Sequence, residues 1–270
     1  MPIVFLAGQP QRPFLELRVG QSVGYFLLDT GAGAHVMSDW FFRAAFPDRP
    51  VQGRPATAVD FAGVPIPATR VAGLEVRWPD GRPEALDFSV GPFSRPADAD
   101  GLAGILSPQA LLGAHGAVEL DFLAGAVRLW PRAPEEGLGY SVQEGTFRVC
   151  PAGGGTEVYA WATAAEGVPL WAMMDTGAPA TAVGLDSPLG QRLWPLARPI
   201  AAGRGLSNAP LDTRVIPVRV DFGGLPWRVE SLVLRLPLAG CGTQALLGMN
   251  LLRHCAITLA RDRGWARCRP

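Results

Sequence analysis

The chain has 270 residues, with 24 basic and 24 acidic side chains, so it has no net field to attract nucleic acid or an anionic membrane. Apolar residues make up 48% of it, enough for a sizeable core, which argues against disorder despite the 33 glycines and 26 prolines. Turn residues at that density between short apolar runs predict an all-β protein.

The N-terminal segment MPIVFLAGQPQRPF has no basic leader followed by a long apolar stretch, and no apolar run is long enough to span a bilayer. A soluble, cytoplasmic protein is the expectation. The four cysteines, Cys150, Cys241, Cys255 and Cys268, have no metal-type spacing. They are expected as free buried thiols, with a disulfide among the last three as the alternative.

In chain order, FLELRV (14–19) alternates apolar and polar residues, GQSVG turns, and YFLL (25–28) reads as a strand buried on both faces. That strand runs into Asp29, Thr30 and Gly31. A long hairpin is predicted over 56–78 with its tip near Phe61–Pro65, followed by a strand over 85–93. DGLAGILSPQALLG (100–113) ends in a short helix-capable piece, and AVELDFLAGAVRLW (117–130) reads as a further hairpin.

The second half echoes the first. PLWAMMDTGAPATAVG (169–184) again runs apolar residues into Asp-Thr-Gly-Ala, placing Asp175 146 residues after Asp29. ATRVAGLEV (68–76) matches DTRVIPVRV (212–220), and Leu102-Ala103-Gly104 matches Leu246-Leu247-Gly248, both at an offset of 144. AITLARDRGWARC (256–268) is the counterpart of the 117–130 hairpin. The chain therefore reads as two copies of one β-rich unit, 1–134 and 146–270, with a linker over 135–145. Asp and Gly commonly make turns. Turn chemistry does not, however, require the threonine, the apolar approach strand or a second copy.

With their apolar approach and following alanine, the two triplets resemble the DTG motif of aspartic proteases, closest to the retropepsin-like branch. The Leu102–Gly104 and Leu246–Gly248 segments are similar to the two-hydrophobics-and-glycine signature which that family places before a short helix. The resemblance covers both halves. It implies a bilobal, all-β acid-protease fold with two pseudo-symmetric, barrel-like lobes on one chain, acting as an endopeptidase on a peptide or protein substrate. No cofactor and no metal are implied, and a monomer is expected, since both triplets lie on one chain. The alternatives are a non-catalytic peptide-binding protein of the same fold and a purely structural β protein.

The chemistry can also be stated without the family. Two carboxylates within hydrogen-bond reach cannot both ionise at ordinary pH, so Asp29 and Asp175 would share one proton. One would activate a water while the other protonates the scissile carbonyl. Thr30 and Thr176 are expected to bond the opposite loop's backbone. Gly31 and Gly177 would allow close approach, and Gly104 and Gly248 would do the same beneath the loops. Ala32 and Ala178 offer no hydroxyl to hold a carboxylate ionised, which predicts activity reaching mildly acidic or near-neutral pH.

The sequence departs from the family where retroviral enzymes place a substrate-anchoring Asp, since Gly33 and Pro179 stand there. No tyrosine falls in either candidate flap. The predicted flap residues are Phe61, Gly63 and Val64 in the first half and Gly205, Leu206 and Ser207 in the second, with ordinary surface hairpins as the alternative. Signatures of other hydrolases and nucleotide-binding loops are lacking, the three histidines show no ligand spacing, and His35 reads as a packed or capping residue.

Overall fold

The computed structural model describes residues 1–59, 64–94, 102–134, 147–152, 156–200, 203–204, 210–236 and 242–269. Short strands dominate, and the longest helix among these residues is Asp39–Ala45. No helix among them is long and apolar enough to cross a membrane.

The strands are cut where the sequence alternates. In Gln9–Val19, Leu15, Leu17 and Val19 point inward while Glu16 and Arg18 face out, the period-two pattern of a half-buried strand. Each buried leucine there contributes about 1.5–3 kcal/mol. The next strand, Ser22–Leu28, corrects the expectation of burial on both faces along 25–28. Phe26, Leu27 and Leu28 are buried, but Tyr25 is 38% exposed.

Two eight-stranded sheets carry the same strand order. The first runs Val4–Leu6, Gln9–Val19, Ser22–Leu28, Gly104–Leu106, Val36–Ser38, Pro83–Gly91, Pro65–Arg77 and Arg54–Val59. The second runs Phe147–Ala152, Thr156–Ala165, Val168–Met174, Ala245–Leu247, Ala182–Gly184, Leu225–Leu234, Thr213–Phe222 and Arg198–Pro199. Val19 pairs with Val76 in the first and Ala165 with Val220 in the second, so each sheet bends back to pair its second strand with its seventh. The sequence match of 68–76 to 212–220 is thus also a match of strand register. The linker expected over 135–145 lies outside the described residues.

A third, four-stranded sheet draws on both halves. It is ordered Ala126–Trp130, Ala117–Asp121, Cys255–Ala260, Gly264–Cys268, so the two expected late hairpins form and pair with each other. Its inward side chains, Val118, Leu120, Val127, Ile257 and Leu259, belong to one core shared with both large sheets.

The expectation of free thiols is overturned. Cys255 and Cys268 sit directly opposite each other on paired strands, with Cα atoms 4.0 Å apart, and form a disulfide. Cys150 is disulfide-bonded as well. Register, which sequence spacing does not reveal, brings the first pair together. Disulfides are maintained in oxidising compartments, so these cysteines lend the cytoplasmic expectation no support.

Candidate active site

Both large sheets deliver an aspartate from an equivalent place. Ser22–Leu28 pairs in parallel with Gly104–Leu106, and Val168–Met174 pairs in parallel with Ala245–Leu247. The residue after each central strand is the aspartate. Asp29 N donates to Leu106 O and Asp175 N to Leu247 O, each at 3.0 Å. Each loop then closes as a tight turn, with Ala32 N donating to Asp29 O at 3.3 Å and Ala178 N to Asp175 O at 3.2 Å.

The two loops are locked by their threonines, both fully buried. Thr30 N donates to Thr176 Oγ1 and Thr176 N donates to Thr30 Oγ1, each at 3.1 Å, while Thr176 Oγ1 donates to Leu28 O at 2.6 Å. Buried N–H groups left without acceptors would be costly. The hydroxyls therefore satisfy groups that the tight turns cannot satisfy themselves.

The glycines bring the acids together. A Cβ on Gly31 would lie 2.8 Å from the carboxyl carbon of Asp175, and one on Gly177 would lie 2.6 Å from that of Asp29. The two carboxyls are within hydrogen-bonding reach of each other. Asp29 also accepts from Gly31 N at 2.7 Å, and Asp175 from Ala178 N at 2.9 Å.

Burial dominates the electrostatics. Desolvation raises the Asp29 carboxyl above its ordinary value, opposed by the Gly31 N–H, the hydrogen bond to Asp175, the charge of Arg12 and the Gly177 N–H. Desolvation also raises Asp175, and the neighbouring charge of Asp29 pushes it further, well above the carboxylate range. Both carboxyls are thus raised, and the pair titrates as one unit that holds a shared proton.

One sequence expectation needs correcting. Leu106 and Leu247 do the same work, so the counterpart of Gly248 is Ser107, and Gly104 corresponds to Ala245. The Leu102-Ala103-Gly104 match is displaced by three residues. Gly248 lies against the segment that follows Asp175, where a Cβ would come within 2.3 Å of the Ala180 carbonyl carbon. Gly104 is confined instead by Val36 O and the Phe26 ring.

The support beneath each loop differs, and none of it was read from the sequence. In the second half, Met249 N and Asn250 N donate to Ala178 O and Pro179 O at 2.9 and 3.1 Å. Gly248 N donates to Thr181 Oγ1 at 3.2 Å, and that hydroxyl donates to Asn250 Oδ1 at 2.8 Å. In the first half Pro108 stands where Met249 does and has no N–H to give. Ser107 N donates to His35 Nδ1 at 3.1 Å, and Gln109 Nε2 donates to Thr30 O. His35 occupies the place of Thr181, each immediately preceding a paired strand.

Of the predicted flap residues, Phe61, Gly63, Gly205, Leu206 and Ser207 lie outside the described residues, and Val64 is half-buried. Gly203–Arg204 pairs with Pro210–Leu211, and Arg54–Val59 pairs with Pro65–Arg77. No protein-family model matches the chain, and no curated protein matches it in sequence. No cluster among the described residues could hold a metal ion.

Proposed function

We propose that the protein is an aspartic endopeptidase of acid-protease fold, with two barrel-like lobes related by internal duplication. The observation that carries this reading is the pair Asp29 and Asp175. They emerge from equivalent strand ends, face each other across glycines too close to bear a side chain, and are locked by reciprocal threonine bonds.

With one proton shared by the pair, the ionised carboxyl, written here as Asp29, takes a proton from a water lying between the two. Asp175 donates its proton to the carbonyl oxygen of the scissile peptide, and the water oxygen bonds the carbonyl carbon to give a tetrahedral diol. Collapse of the diol breaks the C–N bond. The proton held on Asp29 passes to the leaving amine, and the acid product returns the other to the pair. The substrate is a peptide or protein segment, held as a monomeric enzyme's cleft would hold it.

Gly33 and Pro179 give a second reading its footing, since they leave no carboxylate to anchor the substrate backbone. On that reading the cleft binds peptides without cutting them. Incubation with a peptide library from pH 3 to 7, with and without a statine-containing peptide, separates the two. Cleavage suppressed by statine supports the endopeptidase. Peptide binding without cleavage supports the binding protein, and neither activity would sink both.

A further inference from the structure

The two candidate catalytic loops are supported unequally. The Asp175 loop is held by two backbone N–H groups, those of Met249 and Asn250, and by a hydroxyl that does not titrate. The Asp29 loop lacks the first backbone bond because position 108 is proline. Side chains hold this loop instead: Gln109 bonds Thr30 O, and His35 accepts from Ser107 N in the place that Thr181 takes beside Gly248 N.

His35 is 4% exposed, its ring lies 5.5 Å from that of Phe88, and its Nδ1 faces a backbone N–H at 3.1 Å. An imidazole accepts at Nδ1 only when that nitrogen is unprotonated. Protonating Nδ1 would set two donors against each other at hydrogen-bond distance. Ser107 directly follows Leu106, whose carbonyl fixes the Asp29 N–H. A displaced Ser107 therefore moves the groups that aim Asp29.

We propose that His35 is a proton-sensitive positioning residue, which holds the Asp29 loop as a neutral acceptor and releases it on protonation, setting the acid limit of the site. This rests on the catalytic reading above for its consequence in activity, but not for the release itself. Burial pushes the imidazole down to about 4, opposed by the charge of Asp87, so release falls within the range where a carboxylate pair would work. Among the described residues, Asp87 on Pro83–Gly91 is the charged group that acts on the ring. It is itself paired to Arg70 on Pro65–Arg77 at 3.3 Å. Ser107, which caps the helix Pro108–Leu111 after the strand Gly104–Leu106, Gln109 of that helix and Ser38 of the strand Val36–Ser38 have no group that titrates in this range.

Amide hydrogen exchange from pH 3 to 7 tests the release without needing activity. Protection of the Ser107 and Asp29 amides should fall, relative to 245–251 in the same molecule, by about tenfold per pH unit below the imidazole's transition. In His35→Asn, which offers an acceptor that does not titrate, and in His35→Thr, which copies Thr181, the relative protection should stay level. Nitrogen NMR of the wild-type ring, which needs no variant to fold, should show the Nε2-protonated tautomer at pH 7 and a transition coincident with the loss of protection. Protection independent of pH in the wild type, or an equal loss in the substituted proteins, would overturn the proposal. If protection moves as described while no peptide is cut, the positioning role stands and the endopeptidase reading fails. If peptides are cut while protection stays level, the reverse holds.

Discussion

Asp29 and Asp175 end buried strands, where an ionised carboxyl is costly, and both carboxyls titrate above their ordinary value. Between that ordinary value of 3.8 and the raised one, the folded state binds more protons than the unfolded chain. Stability from this pair therefore falls as pH rises through that window and stays low above it. Asp175→Asn should melt several degrees above wild type at pH 7, with the gap closing as pH approaches 4; a constant gap, or a lower melting point, would contradict the assignment. His35 acts in the opposite sense. Its folded value of about 4 lies below the ordinary 6.5, so its contribution is complete above 6.5 and lost as pH falls towards 4. That loss is worth about 3 kcal/mol. The glycines make a steric prediction at the same scale. A Cβ at Gly31 or Gly177 would press on the opposite carboxyl at under 3 Å, so either Gly→Ala change should lower kcat about a hundredfold while circular dichroism is unchanged.

Between elements, the threonine lock ties the two halves at their closest approach. Thr176 Oγ1 both accepts from Thr30 N and donates to Leu28 O. Thr176→Val keeps the shape but strands a buried N–H and a carbonyl, which should cost about 1–3 kcal/mol in chemical denaturation; no loss would mean that the bond carries nothing. The lock was legible in the sequence because Asp, Thr and Gly are contiguous and occur twice. The support beneath it was not. His35 and Ser107 are 72 residues apart and meet only through strand pairing. The Leu102–Gly104 match shows the same limit. Leucines and glycines recur at many offsets, and only the carbonyls that accept from Asp29 and Asp175 reveal that Ser107, not Gly104, answers to Gly248.

On the scale of the molecule, the repeat visible in the sequence becomes two sheets of identical strand order, which present their central strand ends to each other. The third sheet joins one hairpin from each half side by side over a shared core, so the position of one aspartate depends on the packing of the other half. Local alternation and turn residues made the strands legible. The pairing of Cys255 with Cys268 was not, because it depends on the register of a hairpin whose turn leaves several registers open. The proposed pair requires two acids from different sheets to act as one group. Its most direct test is kcat/KM on a cleaved peptide for wild type, Asp29→Asn and Asp175→Asn at the pH of maximal activity. Each substitution alone should lower kcat/KM by about a hundred- to ten-thousandfold, with both together costing little more than either. Wild-type cleavage by either single variant would contradict the shared-proton pair.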